Sequence, residues 1–145
     1  MFKFRLDSLI TIRDNKLKER QQKLAEAYDA RQILEEYLQE IDKQLEEGII
    51  AVRELSQPGQ TVNVEHLIGF RQQEMFLRAN QEYLMEKMKM IDEEIEVRLA
   101  AVIEANKELK VVEKLKEKQH EKYLENENKA ETKMMDEIGA RVGRN

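Results

Sequence analysis

The chain has 145 residues, enough for one domain, and charged side chains make up 38% of it while aromatics make up only 6%. With 25 Lys and Arg against 30 Asp and Glu its net charge is −5, the wrong sign for a protein whose main work is gripping phosphates. Scarce glycine, a single proline and no tryptophan argue against a thick globular core and for long helices stabilised along a narrow seam.

The absence of cysteine removes disulfides and thiol chemistry and fits a reducing compartment. No apolar run approaches the ~18 residues of a membrane span. The opening Met1-Phe2-Lys3-Phe4-Arg5-Leu6 lacks an apolar core of signal-peptide length before Asp7. The expected location is cytosolic. Charge is uneven along the chain: residues 1–23 carry a local +4 and residues 35–54 a local −5, an asymmetry able to orient a protein on its partners.

A 3-4 apolar spacing runs from Leu6 through Ile10, Leu17, Leu24, Ala27, Leu34, Leu38, Ile41, Leu45 and Val52 to Leu55. Four positions in this stripe break the apolar rule: Arg13, Arg20, Arg31 and Gly48. Sustained over about seven heptads, the pattern predicts a coiled-coil seam. Tyr28, Tyr37 and Ile49 are expected to widen it locally. Pro58-Gly59 then gives a turn with a mechanism, because proline presets φ at the second turn position and glycine supplies the positive φ that follows.

Helix resumes near Asn63, an expected N-cap, with Glu65 in the first turn where the helix dipole favours an acid. The second stripe is Leu67, Phe70, Glu74, Leu77, Gln81, Leu84, Met88, Ile91, Ile95, Arg98, Val102, Ala105, Leu109 and Val112, after which Lys116 and Gln119 break it. Folding the arms so that Leu55 meets Leu67 makes facing residue numbers add to 122. Leu45 then faces Leu77, Ala27 faces Ile95 and Ile10 faces Val112. Leu6, where the first stripe begins, faces Lys116, where the second has stopped.

The prediction is an all-α, antiparallel two-helix coiled-coil hairpin with a longer C-terminal helix, forming one domain over 1–145. Arm one covers about 4–55, the turn 56–63 and arm two about 64–142. The second arm overhangs the first by roughly two dozen residues, up to ~40 Å if helical. Met134, Met135, Ile138 and Val142 recur there at helical spacing, and Gly139 and Gly143 suggest fraying.

Catalytic motifs are lacking. His66 and His120 fall at opposite ends of the hairpin with no converging ligands. Paired acids such as Glu46-Glu47 and Glu93-Glu94 have no pocket to shift them. There is no glycine-rich phosphate loop, and nothing calls for a cofactor, a metal or nucleic acid. In the seam, Arg13, Arg20, Arg31 and Arg98 either set register with their heads in water or mark a seam that opens towards the basic end and meets an outside partner. Gly48 opposite Glu74 is a weak layer, a bend or a close approach near the tip.

Two segments resemble the FliJ family: Phe4-Arg5-Leu6-Asp7-Ser8-Leu9-Ile10-Thr11-Ile12-Arg13 at the start, and Glu127-Asn128-Lys129 with Lys133-Met134-Met135-Asp136-Glu137-Ile138 and Arg141 at the end. The resemblance implies a non-enzymatic flagellar type III export component, a coiled-coil stalk similar in shape to the central shaft of rotary ATPases. Its implied partners are the FliI-like export ATPase ring, the export-gate membrane protein FlhA and export chaperones, reached at the cytoplasmic face of the cell membrane. Arg13, Arg20, Met135, Asp136, Glu137 and Arg141 would lie on the ATPase side. Phe70, Leu77 and Leu84, in the first turns of the second arm, would face the gate, although Gln73 stands where relatives often carry an aromatic residue. The equivalent stalk of a virulence secretion system is the nearest rival. A prefoldin-like holdase would need β-hairpins that the chain does not suggest.

Overall fold

A computed structural model describes residues 5–59 and 61–143. Two helices account for nearly all of them, α1 (Asp7–Leu55) and α2 (Val64–Gly143), and no strand occurs among the described residues. Of the expected start of arm one, residue 4 lies outside the described residues, and Arg5 and Leu6 form a turn before the helix. Asp7 opens α1 where a carboxylate meets the positive end of the helix dipole. The Ile10 amide donates back to the Leu6 carbonyl at 3.1 Å, closing the first turn.

At the other end of α1 the Ser56 amide donates to the carbonyls of Val52 and Arg53 (3.0 and 3.2 Å). Pro58 cannot extend that ladder, and Gly59 adopts φ 88°, the left-handed conformation that the Pro-Gly pair predicts. Asn63 caps α2 through its side-chain oxygen, which accepts from the amides of Glu65 (3.0 Å) and His66 (3.4 Å). Caps of this kind contribute about 1 kcal/mol.

The packing falls into two compact units, one made of the segments up to Gln21 and from Ala101 onward, the other of Gln22–Ala100. Each contains a stretch of α1 lying antiparallel to a stretch of α2. In the Gln22–Ala100 unit Arg31 pairs with Asp92 and Gln81 with Asp42, both at 2.7 Å, and Arg98 reaches the Lys23 carbonyl at 2.6 Å. In the other unit Lys116 pairs with Asp7 at 2.9 Å, and Arg13 and Lys16 both bond Glu108. These partners have numbers adding to between 121 and 124, the register predicted from the two stripes.

From Ile10 to Leu55 and from Leu67 to Val112 every residue assigned to the seam is buried or half-buried, including its arginines, Glu74 and Gln81. The fully buried members are Ala27, Ile41, Leu77, Ile95, Ala105, Leu109 and Val112. Tyr28, Tyr37 and Ile49 do not widen the seam as expected; they are about half exposed. They stand one residue to either side of a seam position, and one step around a helix turns a side chain by ~100°. At this register L45C/L77C should form a disulfide within a single molecule. Mass spectrometry after mild oxidation checks this, and bridging only between molecules would refute the hairpin.

Candidate functional site

With the inward stripe consumed by packing, any partner must meet the outward faces, the overhang of α2 or a gap in the seam. All three can be located.

The overhang is continuous helix through Gly139 to Gly143, so the fraying expected there is not seen. Every described residue after Tyr123 is exposed. Met134, Met135, Ile138 and Val142 therefore form an uncovered apolar set on the last turns, with Met135 at 72% exposure. Asp136, Glu137 and Arg141 share these turns, and Arg141 places a cation at the negative helix end. Four of the six residues expected on the ATPase side are thus gathered in one place.

The other two, Arg13 and Arg20, are not there. Arg13 is level with Glu108, roughly 40 Å before Met135 at the usual helical rise. Its guanidinium donates to the Glu108 main-chain carbonyl at 2.7 Å, while its position in the seam is opposite buried Leu109. The stem covers apolar surface and the head is satisfied across the seam. Arg31 and Arg98 behave alike: Arg31 bonds Asp92, which raises its pKa further, and Arg98 bonds the Lys23 carbonyl and Glu94. Arg20 is half-buried and makes no ion pair among the described residues. The alternative of a seam opening towards the basic end does not hold. Ala105, Leu109 and Val112, in that very region, are 2–6% exposed.

The residues expected to face the gate lie on the inward side. Leu77 is 6% exposed in the layer facing Leu45, and Phe70 and Leu84 are half-buried in the same seam. With the hairpin closed they present no outward face, because α1 covers much of their apolar area. What the same turns offer to solvent is a second stripe with a seven-residue recurrence, Phe76 (70% exposed), Tyr83 (57%), Met90 and Val97. Lys87 caps this stripe at Tyr83, its ammonium 4.8 Å from the ring centre. Ile33 and Tyr37 are exposed apolar residues on α1. The recurrence was available in the sequence, hidden behind the stronger seam period.

The gap in the seam is at Gly48 and Glu74. Glu74 holds Arg71 and Arg78 of its own helix, both at 3.1 Å. Hydrogen bonds from Arg78 and then Arg71 lower its pKa below the ordinary glutamate value. Any stability this contributes is present above that value and is lost as pH falls through the lowered one. A carboxyl NMR titration should place the Glu74 midpoint below that of an ordinary glutamate, and R78A should move it upward. A Glu74 midpoint unmoved by R78A would contradict the ion pair.

Among the described residues no helix is long and apolar enough to cross a membrane, and no group of three or more His, Asp or Glu is arranged to hold a metal ion. A family model described as Flagellar FliJ protein matches residues 2–145. No curated protein and no solved structure gives a match to the chain. A match over essentially the whole chain, on two antiparallel helices with an uncovered C-terminal extension, establishes what the terminal motifs suggested: the chain belongs to the FliJ family and is a component of flagellar protein export.

Proposed function

We propose that the protein is a non-enzymatic stalk that links an export ATPase ring to the export gate, associates with export chaperones, and works at the cytoplasmic face of the membrane through those partners. The observation that carries this reading is the bare overhang of α2. A helix whose last turns expose Met134, Met135, Ile138 and Val142 has uncovered apolar surface that another protein can bury. This end carries the ATPase contact, through Met135, Asp136, Glu137 and Arg141. Arg20, which makes no ion pair among the described residues, is a secondary contact, and Arg13 acts by holding the hairpin closed.

The gate contact belongs on the outward stripe, at Phe76 and Tyr83, in the same turns as Phe70, Leu77 and Leu84. Aromatic side chains on an exposed helix face are the usual anchors of helix-mediated contacts. The family match favours the flagellar machinery over its virulence counterpart.

The test is a stepwise capture. Immobilised export ATPase should retain the purified chain, and the retained chain should then capture the soluble part of the gate protein. Failure of the chain to bind either one, at micromolar concentrations and low salt, would end the stalk reading.

A further inference from the structure

Neither helix supplies a filling side chain where Gly48 faces Glu74. Gly48 has only hydrogen, and a Cβ built there would meet nothing within 4 Å. Glu74 holds Arg71 and Arg78 of its own helix instead of filling the layer. The result is a cleft of about 520 Å³ between the helices, with Leu45 and Leu77 on one side and Val52 and Phe70 on the other.

The seam differs on the two sides of this gap. Away from the turn it has fully buried members, beginning with Ile41 and Leu77, and cross-helix bonds, beginning with Gln81 to Asp42 at 2.7 Å. Towards the turn two layers remain, Val52 with Phe70 and Leu55 with Leu67, and all four side chains are only half-buried. Among the described residues from Lys43 to Phe76 none is fully buried, and none bonds across to the opposite helix. The bonds of Ser56, Asn63, Arg71 and Arg78 stay within one helix or at its end.

Both kinds of tie between the helices are therefore thinned together at the turn end. A segment with few buried apolar contacts opens locally at a cost well below that of unfolding the whole chain. The gap sets its boundary. Opening up to Gly48 gives up two half-buried layers and no cross-helix bond, whereas one step further would break the layer of Leu77, which is 6% exposed. Gly48 stands at that boundary, and glycine in a helix interior weakens the helix. Parted from its neighbour, a helix end this short frays, because helices draw most of their stability from tertiary packing.

We propose that the turn end is a separate opening unit. The stretches 49–55 and 64–73 unzip and rezip while the seam from Leu45 and Leu77 inward stays closed, with the Gly48–Glu74 layer as the breaking point. This opening follows from packing alone and does not depend on the stalk reading.

The test is hydrogen–deuterium exchange of the full chain, resolved by residue and corrected for intrinsic rates. Amides of 49–55 and 67–73 should exchange at least about a hundredfold faster than those of 34–45 and 77–88. Their exchange should respond little to low concentrations of denaturant, because the opening exposes little surface. I95V trims a buried side chain deeper in the Gln22–Ala100 unit. It should speed exchange of the deeper amides about threefold or more and leave those of the turn end unchanged. G48A restores helix propensity alone, while G48L also fills the gap. G48L should slow the turn-end amides about tenfold or more, and further than G48A does. Three results would each overturn the proposal: equal protection on both sides of the gap, turn-end amides that speed up with I95V, or a G48L chain no slower than G48A.

Discussion

Removal of residues 130–145 should abolish binding to the export ATPase and leave the hairpin intact. The two halves of that expectation rest on different observations. Every described residue from Leu124 onward is exposed, so truncation deletes no seam contact. Thermal unfolding should change by no more than about 0.5 kcal/mol, the range of substitutions that touch nothing. Binding should fall at least a hundredfold, since a few apolar anchors usually carry most of a contact's energy and Met135 and Ile138 are the ones this end exposes. M135A/I138A should reproduce much of the loss without shortening the helix. Affinity measured by calorimetry against the ATPase decides the matter. A truncated chain that binds at full strength would move the ATPase contact elsewhere.

The second large effect separates two neighbours on α2. L77D puts a carboxylate into a layer where the side chain is 6% exposed opposite Leu45. A cost above about 3 kcal/mol is expected, enough to open the Gln22–Ala100 unit to hydrogen exchange and proteolysis. F76D alters a side chain 70% exposed and should leave stability within about 0.5 kcal/mol. Its effect should appear in gate binding, together with Y83A. If F76D kept full gate affinity while L77D lost it only through unfolding, the outward stripe would not be the contact.

The fold was almost wholly legible. A seam has to repeat every 3.5 residues, so two stripes that stop together fix both the antiparallel direction and the register. The pairs Arg31–Asp92 and Asp42–Gln81 fall where that register puts them. The surface sites were less legible, for a physical reason. Strongly apolar residues such as Phe70, Leu77 and Leu84 look like binding anchors and like core alike, and only the partner helix decides between the two. Once α1 covers them, the weaker recurrence of Phe76, Tyr83, Met90 and Val97 is what remains outside. Tyr28, Tyr37 and Ile49 were misjudged in the reverse sense, since large apolar residues beside a narrow seam need not be drawn into it. Gly48 and Glu74 could be read as a weak layer. That the layer is an open cleft, with no close approach at Gly48 to fill it, shows only in the folded chain.

The arginines that reach a main-chain carbonyl of the opposite helix have a mechanical consequence. Arg13 on Glu108 and Arg98 on Lys23 act as pegs, each fastening one helix to a fixed rung of the other. If one helix were dragged a heptad along its neighbour, leucine would meet leucine again, but both guanidiniums would have to let go of their rungs. Greasy contacts alone allow slippage under load; these two fastenings oppose it, so a push delivered to one helix is passed to its neighbour.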